Sequence, residues 1–450
     1  MIVTDFFIYF IFYRKVSPND GQLDGKGSGV LITKMQIKSE GHQFPESDSE
    51  MRQPDFWLDR TAYTGWLRNP FHLFPFTPEQ AKAEYEQNIS QFFSSQVDTA
   101  HGRTVNRNHL MEMLNSAEQL KPTPTYGLMV MRTNLKQFPV AIPLFAAPRP
   151  GAIDRNQLSG LEVGSSCRLE AVAADGRWFL VTTRQGMGWV PERAVAIAGD
   201  TAVDHHTTQL PVIVTLEPLQ TLQVASGENL TIGMGSHLPA LDPFRRIVLI
   251  PTRAKTGKLV WREARIDGGI ACGHLAPTLP HLLKQAFKYL GGHRYAWGDC
   301  RGQASGIDCS RFVQNVLATL GWEVPRSSQA QLQAGKSHWN LRNLPAETRR
   351  EVLAELVPGS LIFTDSHGMI FLGETDGSFY ALHAFDTDAA VRRGCTILSN
   401  GKRVVVSALS LGAGSRQGSL EERLTAAIPL IEKDNANEAI DRYSRVYPGG

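Results

Sequence analysis

A chain of 450 residues is too long for one hydrophobic core and long enough for three or four domains. With 46 Lys and Arg against 44 Asp and Glu the formal charge is +2, and no domain-sized block is strongly basic, which argues against a nucleic-acid partner. Five cysteines, at 167, 272, 300, 309 and 395, form no CxxC pair and no zinc spacing, and their odd number implies a free thiol unless chains are cross-linked.

Residues 2–13 are apolar apart from Thr4 and Asp5 and are too short to span a bilayer. As a signal peptide the stretch lacks a basic leader and carries Arg14 and Lys15 on the wrong side. An export or anchoring role therefore stays open beside a disordered or wrongly started leader. Residues 16–50, rich in Gly, Ser, Asp and Lys, read as linker, so 1–50 is expected to be disordered. Residues 51–125 hold helical stretches from Pro78 to about Phe93 and from Leu110 to Leu120, closed by KPTPT, and are expected to form a helical N-terminal domain.

Residues 126–203 carry short strand-like runs separated by turn signals such as Asp175-Gly176, the pattern of a small β-barrel. Trp178 and Trp189 are expected in its core. RWFLVTTRQGMGWVPE resembles the layout of bacterial SH3-like domains. Residues 204–275 repeat the scale with a weaker motif and are expected to form a second barrel. From 276 the pattern is mixed α and β: a helix over 279–291, a Gly-rich loop, a helix over 309–320, strands from 360 to 407 and a helical tail over 419–440. The fold class is thus multidomain α+β.

The chemistry concentrates after the Gly-rich loop. Apolar positions Cys309, Phe312, Val313, Val316, Leu317 and Leu320 share one helical face stopped by Gly321, and Asp308 falls where an N-cap belongs. Cys309 then sits in the first turn, where free backbone N–H groups favour a thiolate. A buried packing cysteine has the same local pattern, so the downstream residues decide. Strands on either side of the Asp376-Gly377 turn pair positions summing to about 753, which sets His383 opposite Ile370 and within about three residues of the level of His367. In this geometry His367 can take the thiol proton and His383 can orient it.

Tyr295-Ala296-Trp297-Gly298, Gly306-Ile307-Asp308-Cys309-Ser310, Pro325-Arg326-Ser327-Ser328 with Gln331, Pro358-Gly359-Ser360-Leu361, His367-Gly368-Met369-Ile370 and His383-Ala384 follow in order. This series resembles the NlpC-type cell-wall cysteine peptidases, a compact relative of the papain fold, over about 275–410. Together with the lead domain and the barrels it is similar to the multidomain branch with two SH3-like domains, the γ-D-glutamyl-L-diamino acid endopeptidases. The resemblance implies Cys309 as nucleophile, His367 as base, His383 as orienting third member and Tyr295 as substrate- or oxyanion-positioning residue. It also implies substrate contacts from Asp308, Ser310 and Ser328, with Asp308 able to pair with a free α-ammonium. The loop departs from the pattern at Asp299, where a second Gly is usual, and carries Cys300.

The implied reaction is hydrolysis of the γ-D-glutamyl–diamino acid (diaminopimelate or lysine) amide of cell-wall peptides, with a preference for free N-terminal L-Ala. The implied partner is the L-Ala-γ-D-Glu-diamino acid peptide, and a monomer in the cell envelope (periplasm or secreted) is expected. No metal, organic cofactor or membrane span is expected. A wall-binding protein with an inert peptidase domain and a thioester-forming acyltransferase are the alternatives. His274, His281 and His293 fall outside the motif blocks, and Cys167, Cys272 and Cys395 are expected to be buried.

Overall fold

The computed structural model describes residues 50–61, 66–71, 77–94, 97–99, 106–119, 125–146, 154–199, 209–298, 306–385 and 403–430. The leader, Asp299, Cys300, Cys395 and the last part of the expected tail lie outside the described residues.

Two large antiparallel sheets, and a two-stranded one of Val97–Thr99 with Leu144–Ala146, precede the mixed unit. The first runs in the order Val195–Gly199, Thr125–Met129, Ser166–Val172, Trp178–Thr183, Gly186–Pro191, Thr133–Lys136, Gln157–Leu161. Its central strands alternate between buried and less buried positions, which is the period-2 pattern of a half-buried strand. The second runs Asn229–Gly233, Leu219–Val224, Leu259–Ile266, Ile247–Arg253, His237–Asp242, Val212–Thr215, Ile270–Cys272. Each has its own apolar cluster, around Leu135, Leu169 and Val181 in the first and around Ile213, Leu222 and Ile250 in the second. Trp189 is buried and Trp178 packs beside it, but they lie outside the core cluster of the sheet where they were expected: they belong to a separate cluster on the face covered by Ala81 and Tyr85 of the lead region. Cys167 is buried, but Cys272, expected inside, lies exposed at the end of an outer strand.

The lead region forms helices Pro54–Leu58, Pro78–Phe92 and Arg107–Asn115, the second with a Thr77/Gln80 capping box. They do not form one core of their own, since the first packs apart from the second and third. Met51, Trp57, Leu67 and Phe71 join the cluster of the C-terminal unit. Ala81 and Tyr85 pack with Met187 and Trp189 of the first sheet, while Phe92 and Leu110 pack with Phe138 and Leu144. Short strands Val97–Thr99 and Glu118–Gln119 also pair with strands Leu144–Ala146 and Ser166–Val172. Helices with one, three and one buried side chains cannot make a separate core, so they divide between larger ones.

The C-terminal sheet runs Gly306–Ile307, Arg294–Tyr295, Arg403–Ala408, Ser378–Phe385, Gly368–Thr375, Leu361–Phe363, Ala426–Ile428, Trp339–Asn340. Helices Leu279–Phe287 and Cys309–Ala318 share the cluster that contains Leu361, Ile370 and Leu382 of this sheet. Helix Ala346–Glu355 contributes Val352 and Leu353 to the cluster of Ile362, Phe371 and Ala381, the alternate positions of the same strands. The expected tail helix is not formed over 419–430. That stretch is turns followed by strand Ala426–Ile428, which pairs with Leu361–Phe363 and Trp339–Asn340. Leu420 and Leu424, spaced like helix neighbours, instead bury two turn positions in the second cluster.

Trp57 is 1% exposed, and its Nε1 donates to Met51 O at 3.0 Å. Trp57→Ala is expected to destabilise the C-terminal unit by about 3–5 kcal/mol, read as a lowered urea midpoint. An unchanged midpoint would make the lead segment an appendage rather than part of that core.

Candidate active site

The helix that begins at Cys309, the candidate nucleophile, is set by its cap. Asp308 is extended (φ −91, ψ 173), and its Oδ1 accepts from Arg311 N at 2.9 Å and from Ser310 Oγ at 3.2 Å. Gly298 N donates to Oδ2 at 2.9 Å, and the Arg326 guanidinium pairs with the carboxylate. Burial drives the Asp308 pKa up, but Arg326 and the two amides outweigh it and hold the carboxyl below its ordinary value.

Asp308 is 0% exposed with both oxygens engaged, so pairing with a substrate ammonium does not survive in this geometry. Ser310 is likewise buried: it accepts from Arg326 Nη1 at 2.7 Å, and its carbonyl accepts from Gln331 Nε2 at 2.9 Å. These two residues build the floor of the site instead of its surface. Tyr295 pairs with Ile307 in the short parallel ladder just before Cys309, and Ser328 opens helix Ser328–Ala334 beside Gly368. Tyr295 thus adjoins the strand that leads into Cys309, and Ser328 the residue after His367.

The first sheet reaches this floor. Arg326 Nε donates to Ser159 Oγ at 2.9 Å, Trp297 Nε1 donates to Gln157 O at 2.6 Å, and Arg326 lies 5.4 Å from the Trp297 ring. A Cβ at Gly298 (φ +75) would stand 2.5 Å from Gln157 Cγ, so glycine permits both the turn and the close approach. Arg326 carried no role in the sequence reading beyond its motif. Its value appears only when Ser159, 167 positions away, is brought to it.

Cys309 is 5% exposed, and Gly368 N–H, next to His367, acts on its sulfur. His367 Nε2 and His383 Nδ1 are 2.8 Å apart, and His383 Nε2 is 2.8 Å from Ser407 Oγ. The expected hairpin register holds near the turn, with Gly373 opposite Tyr380, but a β-bulge between Phe371 and Gly373 shifts it, so Ile370 faces Leu382 and not His383. The shift matters because side chains alternate. Without it His367 and His383 would project from opposite faces of the hairpin; with it they share one. Gly373, at φ +111, makes the bulge available.

Burial first, and the Asp308 charge second, raise the Cys309 thiol to about 11, against the Gly368 and Ser310 amides and Arg326, which pull it down. Burial and the Arg423 guanidinium lower His367 to about 4, while Asp308 acts the other way. Burial, then His367, keep His383 well below its usual range. The thiolate expected from the helix start alone is overruled in the resting site by desolvation. At rest Cys309 is therefore a neutral thiol and His367 a neutral imidazole.

The family model described as the NlpC/P60 family matches residues 292–393, a span that holds Cys309, His367 and His383. The C-terminal part of the chain is an NlpC/P60 domain. Members of the NlpC/P60 family are cysteine peptidases or hydrolases acting on cell-wall peptides. The chain is similar in fold to an NlpC/P60 endopeptidase from Photobacterium damselae subsp. piscicida, with TM-score 0.67 and 18% identity over 83% of this chain and 90% of that one. An NlpC/P60 family protein from Bacillus cereus aligns at TM-score 0.45 and 17% identity, over 68% of this chain and 100% of its own. The peptidoglycan hydrolase RipB of Mycobacterium tuberculosis aligns at TM-score 0.23 and 22% identity, over 34% and 64%. No curated protein matches the chain. Among the described residues no helix is long and apolar enough to cross a membrane, and no group of three or more His, Cys, Asp or Glu could hold a metal ion.

Two outcomes follow from the NlpC/P60 site. Gly373→Val forces a β-branched residue into left-handed space at a strain of about 1–3 kcal/mol. It should cut kcat far more than it lowers the melting midpoint, and an active Gly373→Val variant would show that the bulge is not needed to align the histidines. His367 is also expected to remain neutral on acidification, since its pKa of about 4 lies below the ordinary histidine value. The kcat/KM profile should therefore stay nearly flat from about pH 7 to about pH 5, and a midpoint near 6.5 would contradict the buried neutral base.

Proposed function

We propose that this protein is a cysteine peptidase that hydrolyses the γ-D-glutamyl–diamino acid amide of short cell-wall peptides bearing a free N-terminal L-Ala, acting in the cell envelope. The observation that carries the reading is the Cys309 thiol at a capped helix start, against the turn of a His367–His383 pair whose rings meet at 2.8 Å. In this reading His367 keeps its Nε2 proton on His383 and takes the thiol proton at Nδ1. Sγ attacks the γ-carbonyl, Tyr295 helps to position the oxyanion, and His367 returns the proton to the departing amine. Water, deprotonated by the same imidazole, then releases the acyl group from the thioester.

Substrate length is assigned to the first sheet, which we read with the second as SH3-like barrels. The contacts of Gln157 and Ser159 with Trp297, Gly298 and Arg326 support a cleft walled at one end, with room for two residues ahead of the cut. With Asp308 committed to Arg326, the ammonium partner in this reading is Glu84. Glu84 is an exposed residue of helix Pro78–Phe92 whose carboxyl lies in the field of Arg326, and desolvation by its surroundings still raises its pKa.

Cys309→Ala should abolish hydrolysis of L-Ala-γ-D-Glu-diaminopimelate, followed by mass spectrometry, with an unaltered circular dichroism spectrum. Activity above a few per cent would remove Cys309 from the nucleophile role. N-acetylation of the alanine should lower kcat/KM at least about a hundredfold, roughly 2.7 kcal/mol, because a carboxylate is left unpaired. Glu84→Gln should narrow that ratio. Equal rates on free and acetylated peptide would sink the walled-cleft reading while leaving the peptidase reading in place.

A further inference from the structure

The hydrogen-bonded row does not stop at the second histidine. We propose that Ser407 is a positioning residue of the site: by accepting the Nε2 proton of His383 it sets the histidine relay in the direction that leaves His367 Nδ1 free to act as base. The inference rests on the reading of Cys309 and His367 given above. Ser407 lies outside the residues matched to the NlpC/P60 family model, which end at 393.

Strand pairing places Ser407 there. His383 faces Val405 and Ala381 faces Ser407, so Ser407 is two residues along from the direct partner of His383 and projects from the same face. On the other side Ile370 faces Leu382, which puts His367 two residues from the position level with His383, again on that face. Three polar side chains therefore form one diagonal across three neighbouring strands. His383 and Ser407 are 0% and 1% exposed, so water does not substitute for either partner.

A buried neutral imidazole carries one N–H. If His383 is protonated at Nδ1, it donates to His367 Nε2, and His367 must carry its own proton on Nδ1, where a base needs a lone pair. If His383 is protonated at Nε2, that N–H donates to Ser407 Oγ, and Nδ1 accepts from His367 Nε2–H. The lone pair of His367 is then on Nδ1. Once His367 has taken the thiol proton it carries N–H on both nitrogens, and His383 must accept at Nδ1 and donate at Nε2. Ser407 is the acceptor that this charged state requires, so it contributes most when the imidazolium forms.

The test combines kinetics with a readout that needs no turnover. In the wild-type protein, 15N NMR of labelled histidine should show His383 protonated at Nε2 and bare at Nδ1. Ser407→Ala should lower kcat about tenfold with KM within about twofold, the loss of one hydrogen bond of about 1.4 kcal/mol, and should shift the His383 tautomer populations. Ser407→Thr, which keeps the hydroxyl on a strand, should restore both. A wild-type His383 protonated at Nδ1 overturns the proposal, as does a folded Ser407→Ala with unchanged kcat and NMR. If Ser407→Ala does not fold, the wild-type tautomer and the Ser407→Thr kinetics decide. Absence of hydrolysis in the wild type would instead count against the proposed substrate, because the tautomer measurement does not depend on it.

Discussion

Much of the molecule is organised by one buried ion pair, Asp308 with Arg326. Its carboxylate caps the helix that begins at Cys309, holds the Gly298 amide, and accepts from Ser310. Its guanidinium continues to Ser159 on the first sheet and lies by Trp297 on the rim. A buried pair of this kind adds little to stability compared with apolar packing, but losing one partner leaves an uncompensated charge and costs about 3–5 kcal/mol. Its role is one of placement. It gives the helix start, the rim and an edge strand of another sheet a single arrangement, and it uses up the acidic group that otherwise looks available to substrate.

The second constraint is an irregularity. A hairpin that kept one register would be a sound element of the sheet, yet it would separate the two histidines by face. The bulge before Gly373 takes one residue out of the ladder and brings His367, His383 and Ser407 into one diagonal. The apolar residues agree with the shifted register. Ile370, Leu372 and Leu382 fall in the cluster of helix Cys309–Ala318, while Phe371 and Ala381 fall in the cluster of helix Ala346–Glu355. Core packing and relay geometry thus demand the same one-residue slip.

Desolvation sets the charge state of that relay. A first-turn cysteine in water would be drawn toward thiolate by the helix, but the same helix buries Cys309 on its apolar face, and burial is the larger effect. In the proposed reading, a neutral imidazole of this kind takes the thiol proton only when substrate arrives. The lead helices and the first sheet take part in the same economy of burial: helix Pro54–Leu58 completes the C-terminal core and helix Pro78–Phe92 covers Trp189.

Local features were legible in the residues themselves. The helix from Cys309, its Asp308 cap, the turn at Asp376-Gly377 and the alternating strands each depend on neighbours within a few positions, where periodicity and capping operate. So was the order Cys309, His367, His383, now inside a matched NlpC/P60 domain. The tail over 419–430 was misread because Leu420 and Leu424 have helical spacing, whereas pairing with Leu361–Phe363 made its last residues a strand. Long-range partners left no local mark. Nothing near Asp308 announces that Arg326 and Gly298 occupy it, nothing near Ser407 distinguishes it from a surface serine on a strand, and no pattern in 51–125 tells which core receives Trp57. The chain by itself determined which side chains could do chemistry and where helices and strands begin. Which of them meet, which face they share and which are buried was decided by tertiary packing, because those properties belong to pairs of residues far apart in the chain.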